Sequence, residues 1–115
     1  MKSSTQIKGC GTISSPGNDP FVITVGAMKD NGTASLSDDK LVSFSSKGPT
    51  LIDQYAKPDL VAPGADIWSL KPYSTYLQTT YAGNTLPGDW SKSIPYDAYF
   101  KLSGTSMATP MVSGA

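Results

Sequence analysis

A chain with several short apolar runs suited to strands, and one run of small residues suited to a helix, has few ways to bury itself. This 115-residue sequence is of that kind. Residues 21–25 (FVITV) form a β-branched run closed by Gly26, and their near-continuous apolar character predicts a strand buried on both faces. Residues 41–44 predict a short strand ended by the turn at 45–49. Residues 59–62 predict another buried strand, broken by Pro63-Gly64, and residues 67–70 and 99–102 predict two more. Residues 106–115 are small and apolar. Thr105 as N-cap and Pro110 near the start predict a helix beginning at about Ser106. Such a helix must bury its face, and a parallel sheet needs cover on both sides. The expected fold class is therefore α/β: an incomplete, strand-rich parallel-sheet domain with a helix cut short after Ser106.

Between these elements lie turn formers. Ser14, Ser15, Pro16, Gly17, Asn18, Asp19 and Pro20 crowd into residues 11–20, and residues 29–40 carry turn signals at Asp30-Asn31-Gly32 and Asp38-Asp39. Residues 1–10 are polar and patternless and are expected to fray. Residues 73–95 show no clear period and read as a long surface excursion, an insert over about residues 73–97. Its aromatics, Tyr73, Tyr76, Tyr81, Trp90 and Tyr96, with Tyr99 just beyond, suit either a partner surface or a loop pinned by its own rings.

Formal charge balances to zero, which leaves no general electrostatic reason to bind nucleic acid or an anionic membrane. No apolar run approaches a transmembrane length, and no apolar stretch follows Lys2 to make a signal peptide. Cys10 is the only cysteine, so no internal disulfide forms, and histidine is absent altogether. The chain thus lacks the usual general base at neutral pH and the commonest metal ligand.

A serine on a tight strand-to-helix turn is a recurrent nucleophile geometry. Gly104 allows close approach of a substrate. The helix start aims unpaired N–H groups and a positive dipole end at the place where an oxyanion would form. A bare Gly-Thr-Ser tripeptide fits any capped helix start equally well. The wider context differs: Leu102-Ser103-Gly104-Thr105-Ser106-Met107-Ala108-Thr109-Pro110 resembles the active-site serine segment of the subtilisin-like serine proteases, the subtilase or peptidase S8 family. Residues 11–20, residues 22–27, residues 44–50 and Lys57-Pro58-Asp59-Leu60-Val61-Ala62-Pro63-Gly64 resemble further blocks of that family, in its order and spacing.

The resemblance implies that Ser106 is the nucleophile and that its N–H is one oxyanion donor, with Gly104 and Thr105 beside the substrate. Ser15, Pro16 and Gly17 would help form the pocket for the side chain preceding the cleaved bond. No cofactor is required, although the backbone carbonyls of Gly17, Asp19 and Val22 correspond to a structural calcium or sodium site in some relatives. The expected partner is a peptide or protein substrate of a longer, secreted or exported protein. Residues 11–115 would be part of its catalytic domain and residues 1–10 unmatched.

The departures from the family pattern concern activity. The family's aspartate and histidine motifs, and the Ala-Gly-Asn segment with the oxyanion asparagine, have no counterpart here. Neither Asn18 nor Asn31 is placed to substitute for that asparagine, and Asp59, Asp66 and Asp97 are outside the family's aspartate motif. Lys101 reads as a solvated lysine rather than as half of a Ser-Lys dyad. The isolated chain is expected to be an inactive fragment of a serine endopeptidase. The alternative is a non-catalytic, self-associating interaction module. An α/β-hydrolase nucleophile elbow is echoed at residues 104–108, but the upstream blocks do not fit it.

Overall fold

The computed structural model describes residues 10–71, 76–86 and 99–115. Two small sheets and one seated helix make up the fold. In the first sheet, β1 (Val25–Lys29) runs at the centre, with β2 (Lys40–Leu41) antiparallel on one side and β3 (Leu60–Pro63) parallel on the other. The parallel register pairs Val25 with Leu60 and Ala27 with Ala62. In the second sheet β6 (Tyr99–Leu102) lies between β4 (Ile67–Leu70) and β5 (Thr85–Leu86), antiparallel to both. The α/β character stands, with parallel pairing confined to β1 and β3 among the described residues.

Helix α2 (Thr105–Ser113) packs on β1 and β3. The core between them is built from Val25, Ala27, Ala62 and Ala108, with Val42 and Val112 against it. Ala27 and Ala108 are fully buried. Small side chains at this contact let the helix axis lie close to the sheet, at the cost of little buried apolar area.

The first strand departs from its predicted position. Phe21 and Ile23 are exposed, at 95% and 70%, and the strand begins only at Val25. The backbone of residues 21–24 is taken up by other partners. The Phe21 amide donates to Asp19 Oδ1 at 2.8 Å, and the Thr24 amide donates to Asp59 Oδ2 at 2.7 Å. Gly26 does not end the strand. It sits inside it because a Cβ there would lie 2.9 Å from the Pro58 ring and 3.1 Å from Val61.

β2 is shorter than the predicted strand at 41–44. After Leu41 the chain turns, and the buried Ser45 hydroxyl accepts the Ala27 amide at 3.0 Å in place of a ladder partner. The 59–62 strand is shifted by one residue, and the strands at 67–70 and 99–102 have the predicted bounds.

Within the excursion the structure holds order that no period announced: α1 (Tyr76–Thr80), a 3₁₀ turn at Ala82–Asn84, and β5. Asn84 fastens it by donating its side-chain amide to the Lys101 carbonyl at 2.9 Å. Tyr76 and Tyr81 are exposed, and Tyr73, Trp90, Tyr96 and Asp97 lie outside the described residues, as do residues 1–9. Among the described residues no helix is long and apolar enough to cross a membrane.

Candidate active site

Strand β6 delivers the chain to a turn at Ser103 and Gly104, and α2 starts immediately after it. The N-cap is Gly104 rather than Thr105, and its carbonyl accepts the Met107 amide at 3.0 Å. Two cross-links fix the turn. The Gly104 amide donates to the Gly64 carbonyl at 2.7 Å, and the Asp66 amide donates to the Ser103 hydroxyl at 2.9 Å. Pro110 falls in the second turn of α2, past the first-turn position predicted for it, so the Ser106 carbonyl lacks its i+4 donor.

Ser106 is the second residue of α2 and is exposed. Ala108, about 200° further round the helix, is buried against the sheet. This phase presents Ser106 to solvent while anchoring the helix beneath it. Among the described residues neither the Ser106 hydroxyl nor its backbone amide has a hydrogen-bond partner. A free hydroxyl beside a free amide at the positive end of a helix suits attack on a carbonyl and stabilisation of the resulting oxyanion.

The loop of residues 14–24 lies next to this helix start. Ser15 and Pro16 are exposed and joined by a cis peptide bond, and the Pro16 carbonyl accepts the Asp19 amide at 3.1 Å. A cavity of about 140 Å³ is lined by Ile13, Gly17, Thr24, Gly26, Pro58 and Thr105, among others. Of the residues predicted to meet substrate, Gly17 and Thr105 are brought together here, whereas Ser15, Pro16 and Gly104 are not in the wall.

Lys57 is the residue that sequence reasoning passed over. Its side chain is only 4% exposed, and its ammonium donates to the Val22 carbonyl at 2.7 Å and to Asp59 Oδ2 at 2.8 Å. The signal was present in Lys57-Pro58-Asp59, where alternate residues of an extended segment share a face. Asp59 is held below the ordinary carboxylate value of 3.8, first by the Lys57 hydrogen bond and then by the Thr24 amide.

This arrangement does not fit a metal ion at the predicted carbonyls. The Gly17 carbonyl accepts the Thr24 hydroxyl at 2.7 Å, the Asp19 carbonyl accepts the Val22 amide at 3.4 Å, and the Val22 carbonyl accepts an ammonium. Among the described residues no three His, Cys, Asp or Glu side chains converge on a metal-sized space.

Lys101 is paired rather than freely solvated. Its ammonium lies 3.3 Å from Asp66 Oδ1, and Lys29 lies 3.0 Å from Asp66 Oδ2. These two lysines lower the Asp66 pKa, the Lys29 hydrogen bond being the largest cause and the Lys101 hydrogen bond the next. Asp59 and Asp66 are thus engaged with lysines, and Asn31 spends its side-chain amide on the Asp38 carbonyl at 2.7 Å.

The Subtilase family (Peptidase_S8) matches residues 4–115. Serine protease AprX of Bacillus subtilis is 45% identical over 103 residues, covering 90% of this chain and 21% of that protein. Subtilisin-like protease 1 of Arthroderma gypseum is 38% identical over 101 residues, covering 88% of this chain and 13% of that protein. Among solved structures, the prenylagaramide maturation protease PagA superposes with a TM-score of 0.52 at 32% identity, over 93% of this chain and 26% of that one. The chain therefore spans only 21% and 13% of the lengths of these two curated relatives. A serine turn locked to the β3–β4 loop, a helix seated on a parallel strand pair, and a family match that includes every one of these elements lead to one conclusion: the chain belongs to the subtilase family.

Proposed function

We propose that this chain is the nucleophile-bearing part of a serine endopeptidase, with Ser106 forming the acyl-enzyme. The observation that carries the reading is the exposed Ser106, with both hydroxyl and amide unpartnered among the described residues at the start of α2, in a chain of this family. Ser106 Oγ attacks the carbonyl carbon of a peptide or protein substrate and its proton passes to a base. The tetrahedral oxyanion collapses with loss of the protonated amine, and water releases the acid from the ester. The Ser106 amide serves as one oxyanion donor. Gly17 and Thr105 contribute to the wall that receives the substrate side chain, and Ser15, Pro16 and Gly104 flank it.

The base lies outside this sequence, which holds no histidine. Lys101 is not available for that role because it faces Asp66. The isolated chain is therefore inactive, since a serine without a proton acceptor is a poor nucleophile. Export of the longer protein belongs to the same proposal and rests on the family resemblance.

A fluorophosphonate probe tests both halves. The protein carrying this chain together with the upstream family segments labels at Ser106, and Ser106→Ala abolishes labelling. Residues 1–115 alone do not label above the Ser106→Ala background. Clear labelling of the isolated chain sinks the inactivity, and unchanged labelling of the alanine variant sinks the assignment of Ser106.

A further inference from the structure

We propose that the Lys57 ammonium performs the work of a bound cation at the loop of residues 17–24, so that this chain holds that loop in place with no metal ion. Three observations carry it. The ammonium is buried and bonds the Val22 carbonyl and the Asp59 carboxylate. The same Asp59 oxygen accepts the Thr24 amide at 2.7 Å, the Asp59 amide donates to the Thr24 carbonyl at 2.9 Å, and the Thr24 hydroxyl donates to the Gly17 carbonyl at 2.7 Å. One chain of bonds therefore runs from Lys57 through Asp59 and Thr24 to Gly17, two of whose members line the cavity beside Thr105.

A hard cation needs several oxygen lone pairs converging at about 2.3–2.6 Å. Here the Gly17 and Val22 carbonyls each already accept a protein donor, and an entering ion would meet a fixed positive charge within a few ångströms. A tethered ammonium supplies the same counter-charge to carbonyl and carboxylate with charge-assisted hydrogen bonds of ordinary length. Its position needs no free-ion concentration to maintain it. Lys57 is thus a positioning residue for the cavity wall. That the wall meets substrate rests on the function proposed above, but the metal-independence of the loop does not.

Hydrogen exchange read by mass spectrometry on the protein carrying residues 1–115 tests this without any activity. Wild-type exchange over residues 17–24 stays the same in millimolar calcium chloride and in EDTA. Lys57→Met speeds exchange there by about tenfold or more, reflecting loss of a charge-assisted bond. Lys57→Glu, which places two carboxylates beside the Val22 carbonyl, exchanges fast in EDTA and recovers protection in calcium. A Lys57→Glu chain that folds only with calcium gives the same answer. Wild-type protection that rises with calcium or falls with EDTA overturns the proposal. So does a Lys57→Glu chain that calcium leaves unaltered, because a lysine acting only as packing would leave no cation-shaped deficit.

Discussion

Gly104 donates its amide to the carbonyl of Gly64 at 2.7 Å, joining the turn before Ser106 to the loop after β3. The close approach leaves no room for a side chain on Gly64. A Cβ on Gly64 would lie 2.7 Å from the Ala27 Cβ, 2.8 Å from the Gly104 carbonyl oxygen and 3.1 Å from the Ala108 Cβ. Gly64→Ala is expected to cost about 1–3 kcal/mol through overpacking, read as a lower urea midpoint at unchanged slope. In the longer protein a shift of α2 by about 1 Å should slow reaction at Ser106 about a hundredfold. Full stability and full probe reactivity in this variant would show that the helix seat is not what positions the serine.

Ser45 closes the buried side of β1 where β2 has ended. Its hydroxyl accepts the Ala27 amide, and Ala27 is fully buried. Ser45→Ala leaves that amide unpaired out of reach of water, at an expected cost of about 1–3 kcal/mol. Chemical denaturation checks the loss, and faster exchange of the Ala27 amide locates it. An exchange rate equal to wild type would mean that another acceptor replaces the hydroxyl.

Asp59 and Asp66 both have folded-state pKa values lowered from 3.8 by lysine partners. A carboxyl lowered on folding contributes stability that is present above its unfolded value and is lost as pH falls through its folded value. Their contribution should therefore be constant at neutral pH and disappear below about pH 4. Asp66→Asn removes the contribution of Asp66 at neutral pH and leaves a shallower acid limb. Thermal melts from pH 7 to pH 3 check this. An acid limb as steep as in the parent chain would assign the linkage elsewhere.

Phe21, Ile52, Trp68, Leu70 and Tyr76 are all more than three-fifths exposed, and among the described residues β3 and β4 each have an unpaired edge. Apolar surface together with open strand edges favours association. Sedimentation of residues 1–115 alone is expected to show concentration-dependent self-association. Ile52→Lys and Leu70→Lys together should shift it toward monomer. A clean monomer at high concentration in the unsubstituted chain would remove this expectation, and with it the interaction-module alternative.

Local pattern was enough for some elements and misleading for others. Strands 67–70 and 99–102 were legible because each is a four-residue apolar-rich run. The run at 21–25 looked more strand-like than either, yet Phe21 and Ile23 face solvent. What moved the strand was the capture of the Thr24 amide by Asp59, a partner 35 residues away. The short order at residues 76–86 was illegible because its ties to β6 are one asparagine side chain and the two-residue pairing of β5, too short to show a period.

The sequence by itself determined the serine turn, the small-residue face that lets α2 lie on the sheet, and the absence of histidine. Those are properties of residue type and immediate neighbours. Only the tertiary structure decided that Lys57 reaches Val22, that Lys101 pairs with Asp66, and that Gly64 lies against Gly104. Each depends on groups that meet across the sheet from distant parts of the chain, such as the 35 residues between Lys57 and Val22. No helical or strand period encodes such a meeting. Ionic and close-packed contacts are specified by where the backbone has already gone.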